Sequence, residues 1–106
     1  MTTATDLDIR TWTKGDGTTR RYINDWHAAC GIEIDYYKSG NICWAAVDGE
    51  TISNGRASSF LSAKIWLDSK GCLHIDRYNE DRLPLSEDEV RTRLIAALAE
   101  HGITAR

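Results

Sequence analysis

The sequence predicts an α+β fold: one antiparallel sheet of five or six strands built from hairpins, two short helices, and a C-terminal helix packed on one face. Three observations carry that expectation. Short runs rich in β-branched and aromatic residues alternate with the glycine-bearing turn sequences Lys14-Gly15-Asp16-Gly17, Lys38-Ser39-Gly40 and Ser69-Lys70-Gly71. The segment from Ser86 carries apolar residues at helical spacing behind a capping sequence. The length, 106 residues, suits one core, so a single domain over residues 1–106 is expected, with residues 1–6 disordered.

The first hairpin is expected from Leu7–Thr13 and Thr18–Ile23, because Gly15 and Gly17 can supply the positive φ of a tight connection. Asn24 or Asp25 then offers a side-chain oxygen to cap a short helix of about two turns through Trp26, Ala28, Ala29 and Cys30, which Gly31 ends. Ile32–Tyr37 and Asn41–Asp48 form the second hairpin, and Gly49 allows a further reversal into a short extended piece, Glu50–Ile52. Ser53 or Asn54 is suited to cap a second short helix, whose face would hold Ala57, Phe60 and Leu61 at spacings of three and four residues. Ala63–Asp68 and Cys72–Asp76 form the third hairpin. Arg77–Leu85, charged and holding the single proline, Pro84, reads as an exposed connection.

The final helix is the best specified element. Ser86-Glu87-Asp88-Glu89 matches a capping box, Leu85 can staple against Val90, and three acids complement the positive helix end. Val90, Leu94, Ile95 and Leu98 line one face before Gly102 stops the helix, and that face needs a sheet to cover.

Composition bounds the function. The start, Met1 to Asp6, is polar, no run reaches the ~18 apolar residues of a membrane span, and the three cysteines are an odd, scattered set, so a cytoplasmic protein with reduced thiols and no membrane partner is expected. A net charge of −3 argues against broad nonspecific nucleic-acid binding, which draws its affinity from a concentrated basic surface. Four tryptophans and four tyrosines lean instead toward a binding role, since these residues are enriched at interface hot spots.

The chain carries no Walker A loop, dinucleotide fingerprint, H-E-x-x-H or G-x-S-x-G sequence, and no cofactor is implied. His27-x-x-Cys30 and Cys72-x-His74 place metal-competent groups in pairs, as a Cys₂His₂ zinc site would need. Neither spacing is the usual one for zinc, and two core thiols beside partly exposed imidazoles explain them better. A thiol hydrolase would need Cys30, Cys43 or Cys72 within reach of His27 or His74, and the spacing selects no triad. A noncatalytic protein is therefore expected, with a metal- or thiol-dependent enzyme as the alternative.

Two binding surfaces can be read. Tyr36, Tyr37 and Trp44 would anchor a protein partner, with Glu80 and Asp81 as the charged rim in an acidic stretch that includes Asp76, Glu87, Asp88 and Glu89. Alternatively Trp12, Tyr36, Tyr37, Trp44 and Trp66, with Arg10, Arg20, Arg21, Arg56 and Lys64, would make a sheet face that stacks bases, with Arg20-Arg21-Tyr22 as its best local element.

Arg21-Tyr22-Ile23 with Trp26, Tyr37 with Gly40-Asn41-Ile42, Ile52-Ser53-Asn54, Lys64-Ile65-Trp66-Leu67-Asp68 and Gly71 form a succession that resembles small proteins of bacterial phages and mobile elements, of the anti-CRISPR kind. The resemblance implies an inhibitor that binds a bacterial nucleic-acid-handling defence complex, and it brings no catalytic residues with it.

Overall fold

The computed structural model describes residues 7–39, 42–54, 63–77 and 85–106. Strands β1 (Asp8–Thr13) and β2 (Thr19–Asn24) are followed by a one-turn helix α1 (Trp26–Ala29). Strands β3 (Ile32–Tyr36), β4 (Ile42–Val47), β5 (Glu50–Asn54), β6 (Ala63–Leu67) and β7 (Leu73–Arg77) precede the 14-residue helix α2 (Glu87–Glu100).

The α+β class and the antiparallel pairing are as the sequence predicts, but the single sheet of five or six strands is not. The strands form a four-stranded sheet ordered β1-β2-β6-β7 and a separate three-stranded sheet ordered β3-β4-β5. The division falls at α1. Asp25, at φ 55°, and Gly31, at φ 74°, turn the chain on either side of that helix. Strand β2 consequently finds its second neighbour in β6, with Tyr22 opposite Trp66, rather than in β3.

The predicted cap of α1 is also different. Asp25 takes the N-cap position in the left-handed region with no side-chain cap bond, and the Asn24 amide donates instead to Asp8 Oδ2 at 3.2 Å. A second short helix was expected beyond Ser53. Residues 53 and 54 belong to β5, and the rest of that expected helix lies outside the described residues. Residues 1–6 and the connection after Arg77, with Glu80 and Asp81, lie outside them too.

Helix α2 forms as its capping signature dictates. Ser86 Oγ accepts the Glu89 backbone N–H at 3.2 Å, while the Glu89 carboxylate turns along the helix to take the Arg93 Nε–H at 2.9 Å. Val90, Leu94 and Leu98 are buried against Ile23, Ile65, Leu67 and Leu73 from the inner face of the four-stranded sheet, Ala97 is buried too, and Leu85 and Ile95 pack at the rim. Trp26, Cys30 and Ile32 join the same cluster, so α1 and the start of the second sheet share this core. After Gly102, at φ 75°, the tail doubles back along β7. Leu73 donates to the Arg106 carbonyl at 2.8 Å and Arg106 donates to the Gly71 carbonyl at 3.1 Å. Unpaired backbone at a sheet edge invites another strand, and the tail satisfies part of this one.

Candidate functional site

Side chains alternate across a strand, so the residues between the buried ones stand on the opposite, outer face of the four-stranded sheet. With Ile9, Ile23, Ile65, Leu67 and Leu73 facing α2, the outer face carries Arg10 and Trp12 from β1, Arg20 and Tyr22 from β2, Lys64 and Trp66 from β6, and His74 and Asp76 from β7. Each strand contributes one ring, and the rings are cross-strand neighbours. Trp12 meets Tyr22 edge to face at 6.4 Å between centroids, and the Trp66 indole and His74 imidazole stack at 5.0 Å with planes 8° apart.

Cations are interleaved with these rings. Arg20 Cζ lies 5.1 Å from the centre of the Trp66 ring, and Lys64 Nζ sits 5.2 Å from Tyr22 and 5.9 Å from Trp66. Lys64 thus leans toward β2, away from its register partner Asp76 on β7. Among the described residues no carboxylate forms an ion pair with Arg20 or Lys64. Arg10 differs, for it is held by Asp8 at 3.1 Å, and the hydrogen bonds from Asn24 and Arg10 keep the Asp8 carboxyl below its ordinary pKa.

The far side of the face is fixed by the β6–β7 turn. Asp68 Oδ1 accepts the backbone N–H groups of Lys70 at 2.8 Å and Cys72 at 2.9 Å, while Oδ2 lies 2.9 Å from His74 Nε2. The bond to His74, with the Cys72 amide next, lowers the Asp68 pKa to about 2. One carboxylate therefore shapes the turn and orients the imidazole that stacks on Trp66.

The predicted nucleic-acid set is brought together in part. Arg20 and Lys64 meet at Trp66, but Arg21, one position along β2, stands on the inner face with Ile23. Arg56 lies outside the described residues. The predicted aromatic set is divided, because Trp12 and Trp66 belong to one sheet while Tyr36, Tyr37 and Trp44 belong to the other sheet or its margin. Tyr22 and His74 complete the ring row in their place. Tyr22 was already named beside Arg20 and Arg21, and strand parity measured from Leu73 was the signal in the sequence that could have added His74.

At the second sheet Tyr36 and Tyr37 are about half exposed, as is Ile52, whereas Trp44 is partly covered and donates its indole N–H to Thr51 Oγ1 at 3.2 Å. A hydrogen bond with the Cys43 thiol raises the Tyr37 phenol pKa, and burial raises that of Tyr36.

The candidate zinc ligands are not brought together. Cys30 is fully buried beneath α2, with Sγ 3.9 Å from the Val90 carbonyl, and burial pushes its thiol pKa up to about 12. His27 packs on Trp26 at 3.8 Å, and burial holds its imidazole pKa down to about 4. His74 is on the outer sheet face, turned to Asp68, and Cys72 precedes β7. Among the described residues no group of three or more His, Cys, Asp and Glu is placed to hold a metal ion. Nor is there a helix among them long and apolar enough to cross a membrane.

What the outer face offers is flat π-surface and positive charge at cross-strand spacing, the chemistry that takes planar rings linked by anions. Compared with known family models, curated proteins and solved structures, the chain matches none.

Proposed function

We propose that the protein is a noncatalytic binding module that takes single-stranded nucleic acid on the outer face of the four-stranded sheet. The observation that carries this reading is the row Trp12, Tyr22, Trp66 and His74, one ring per strand, with the Arg20 and Lys64 cations lying over rings and in no ion pair among the described residues. Single-strand binders combine these two elements: aromatic faces for successive bases and cations for the backbone.

The acidic net charge is not a barrier to this reading. Glu33, Asp35, Asp48, Glu50, Glu87, Asp88 and Glu89 lie on the second sheet, its β4–β5 turn and α2, and on the binding face Asp8 is paired with Arg10 and Asp68 with His74, which leaves Asp76 at the β7 edge. With two cations to meet phosphates, the expected affinity is modest and its salt dependence shallow, with a log–log slope near −1.4 at about −0.7 per phosphate contact. Fluorescence anisotropy of labelled single-stranded and duplex oligonucleotides, titrated at low and moderate salt, tests the proposal. Preferential single-strand binding with a shallow slope is expected, and no binding at low salt would end it.

A second reading follows from the half-exposed Tyr36, Tyr37 and Ile52 on the other sheet. Such residues suit a protein partner, and the resemblance to phage and mobile-element proteins suggests a bacterial nucleic-acid-handling defence complex as that partner. Affinity capture from a bacterial lysate with and without nuclease separates the two. A specific protein retained after nuclease, and lost from Tyr36→Ala/Tyr37→Ala, would favour this second surface.

A further inference from the structure

The Trp66 indole, at the centre of the ring row, is only 8% exposed. A platform for bases has to be reachable, so what covers it decides how it could be used. Among the described residues the ring meets His74 from β7, Arg20 from β2 and, at 5.9 Å, Lys64 from β6 itself, and the two from the flanking strands are held differently. On the β7 side His74 stacks at 5.0 Å and is latched, because its Nε2 meets Asp68 and Asp68 is in turn tied to the Lys70 and Cys72 amides. On the β2 side the cover is the Arg20 guanidinium at 5.1 Å, with no ion-pair partner among the described residues.

We propose that Arg20 is an exchangeable cap on Trp66: a base of the bound strand takes the guanidinium's place against the indole, and Arg20 moves onto the adjoining phosphate. The inference rests on the reading of this face as a single-strand surface and specifies how the surface opens. For a partly buried arginine over a buried ring, the cation–π contact and the stacking of a base are of comparable strength, and a guanidinium leaving the ring gains a charge-assisted bond to phosphate. The phosphate bond is therefore what drives the exchange. The exchange also confines the ligand to unpaired bases, because a base inside a duplex has no free face to present.

The test is made on the intact protein by NMR. In the free protein the Arg20 side-chain protons carry a ring-current shift from Trp66. Addition of a short oligodeoxyuridylate or oligouridylate is expected to remove that shift, and the tighter binder of the two identifies the preferred sugar. Arg20→Gln is expected to reduce the salt slope by about 0.7, the value of one phosphate contact on a single strand. Trp66→Leu is expected to weaken binding about fivefold or more, the loss of one stacked base. Binding with the Arg20 resonances unmoved and the slope of Arg20→Gln unchanged would overturn the exchange while leaving the surface assignment standing. A duplex of the same sequence that removed the ring-current shift would overturn it as well. Failure of both oligonucleotides to bind would remove the surface assignment and the exchange together.

Discussion

Arg93 clasps Asp48 with both ends of its guanidinium, Nη1 donating to Oδ1 at 3.0 Å and Nη2 to Oδ2 at 2.8 Å, and so ties α2 to the turn between β4 and β5. Its Nη1 also donates to the Cys30 carbonyl, and its Nε donates to Glu89. The clasp holds the Asp48 carboxyl below its ordinary pKa and raises that of Arg93. It also makes Gly31 costly to replace, because a Cβ there would push the Asp48 carboxylate aside and press on Arg93 Nη1, at a φ of +74° that side chains rarely adopt. Gly31→Ala should therefore cost about 2 kcal/mol or more in urea unfolding, and Arg93→Met should lower the midpoint by less, since the Asp48 side of the pair is 60% exposed.

Acid should weaken the fold through His27. Its imidazole is largely buried, its Nε2 has no hydrogen-bond partner among the described residues, and its pKa falls to about 4 against 6.5 for an exposed histidine. Between those values the unfolded chain binds a proton that the native state refuses, so stability falls as pH drops from 6.5 to 4 and this contribution then levels off. The full loss is roughly 3 kcal/mol, at 1.36 kcal/mol for each tenfold change in proton affinity. Asp68 acts lower down: its depressed pKa stabilises the fold above pH 3.8, and that contribution fades as pH falls toward 2. Unfolding midpoints across this range should show the first loss absent from His27→Phe and the second from Asp68→Asn.

The three thiols should separate under a water-soluble alkylating agent at neutral pH. Cys30 has no exposure and a pKa near 12, whereas Cys43 and Cys72 are only partly covered. Mass spectrometry is expected to find Cys30 unlabelled in the native protein and labelled in denaturant. Rapid native labelling of Cys30 would return a reactive thiol to consideration.

Much of the local structure was legible in the sequence. Glycines at Gly17, Gly49 and Gly71 mark three strand reversals, and Ser86 with Val90, Leu94 and Leu98 marks the helix, because capping and periodicity act between near neighbours. What could not be read is which hairpin pairs with which. The β2–β6 pairing depends on how α1 turns the chain at Asp25, and an aspartate in the left-handed region looks, in sequence, like an ordinary cap residue. The candidate site inherited that gap. Arg20 and Lys64 were nameable as basic residues, but their meeting over Trp66 requires the register of Tyr22 against Trp66.

Trp12 separates binding from stability most cleanly. The ring is half exposed and touches Tyr22 by its edge. Trp12→Ala should change unfolding free energy by about 0.5 kcal/mol or less, while weakening single-strand binding about fivefold or more. Unchanged oligonucleotide affinity would remove β1 from the proposed surface.

Leu94, fully buried at the centre of the α2 face, should be the most costly position to truncate. Leu94→Ala is expected to lose 2–5 kcal/mol, roughly, depending on how far the sheet can settle onto the helix. Ser86→Ala, at the cap of the same helix, should lose only about 1 kcal/mol. Equal losses in paired denaturation curves would mean that the helix is held by its end rather than by its face.

The pairing of β2 with β6 sets the order in which the molecule can assemble. Each hairpin joins strands adjacent in the chain, but the seam between β2 and β6 closes a loop running from Asn24 to Ala63 that contains α1 and the whole second sheet. Closing such a loop loses chain entropy before any contact compensates it, so joining the two outer hairpins is the expected slow event in folding. Tyr22 and Trp66 meet on that seam. The ring that anchors the proposed ligand surface thus also stands where the rate of folding is decided, so a substitution there would register in refolding kinetics as well as in binding.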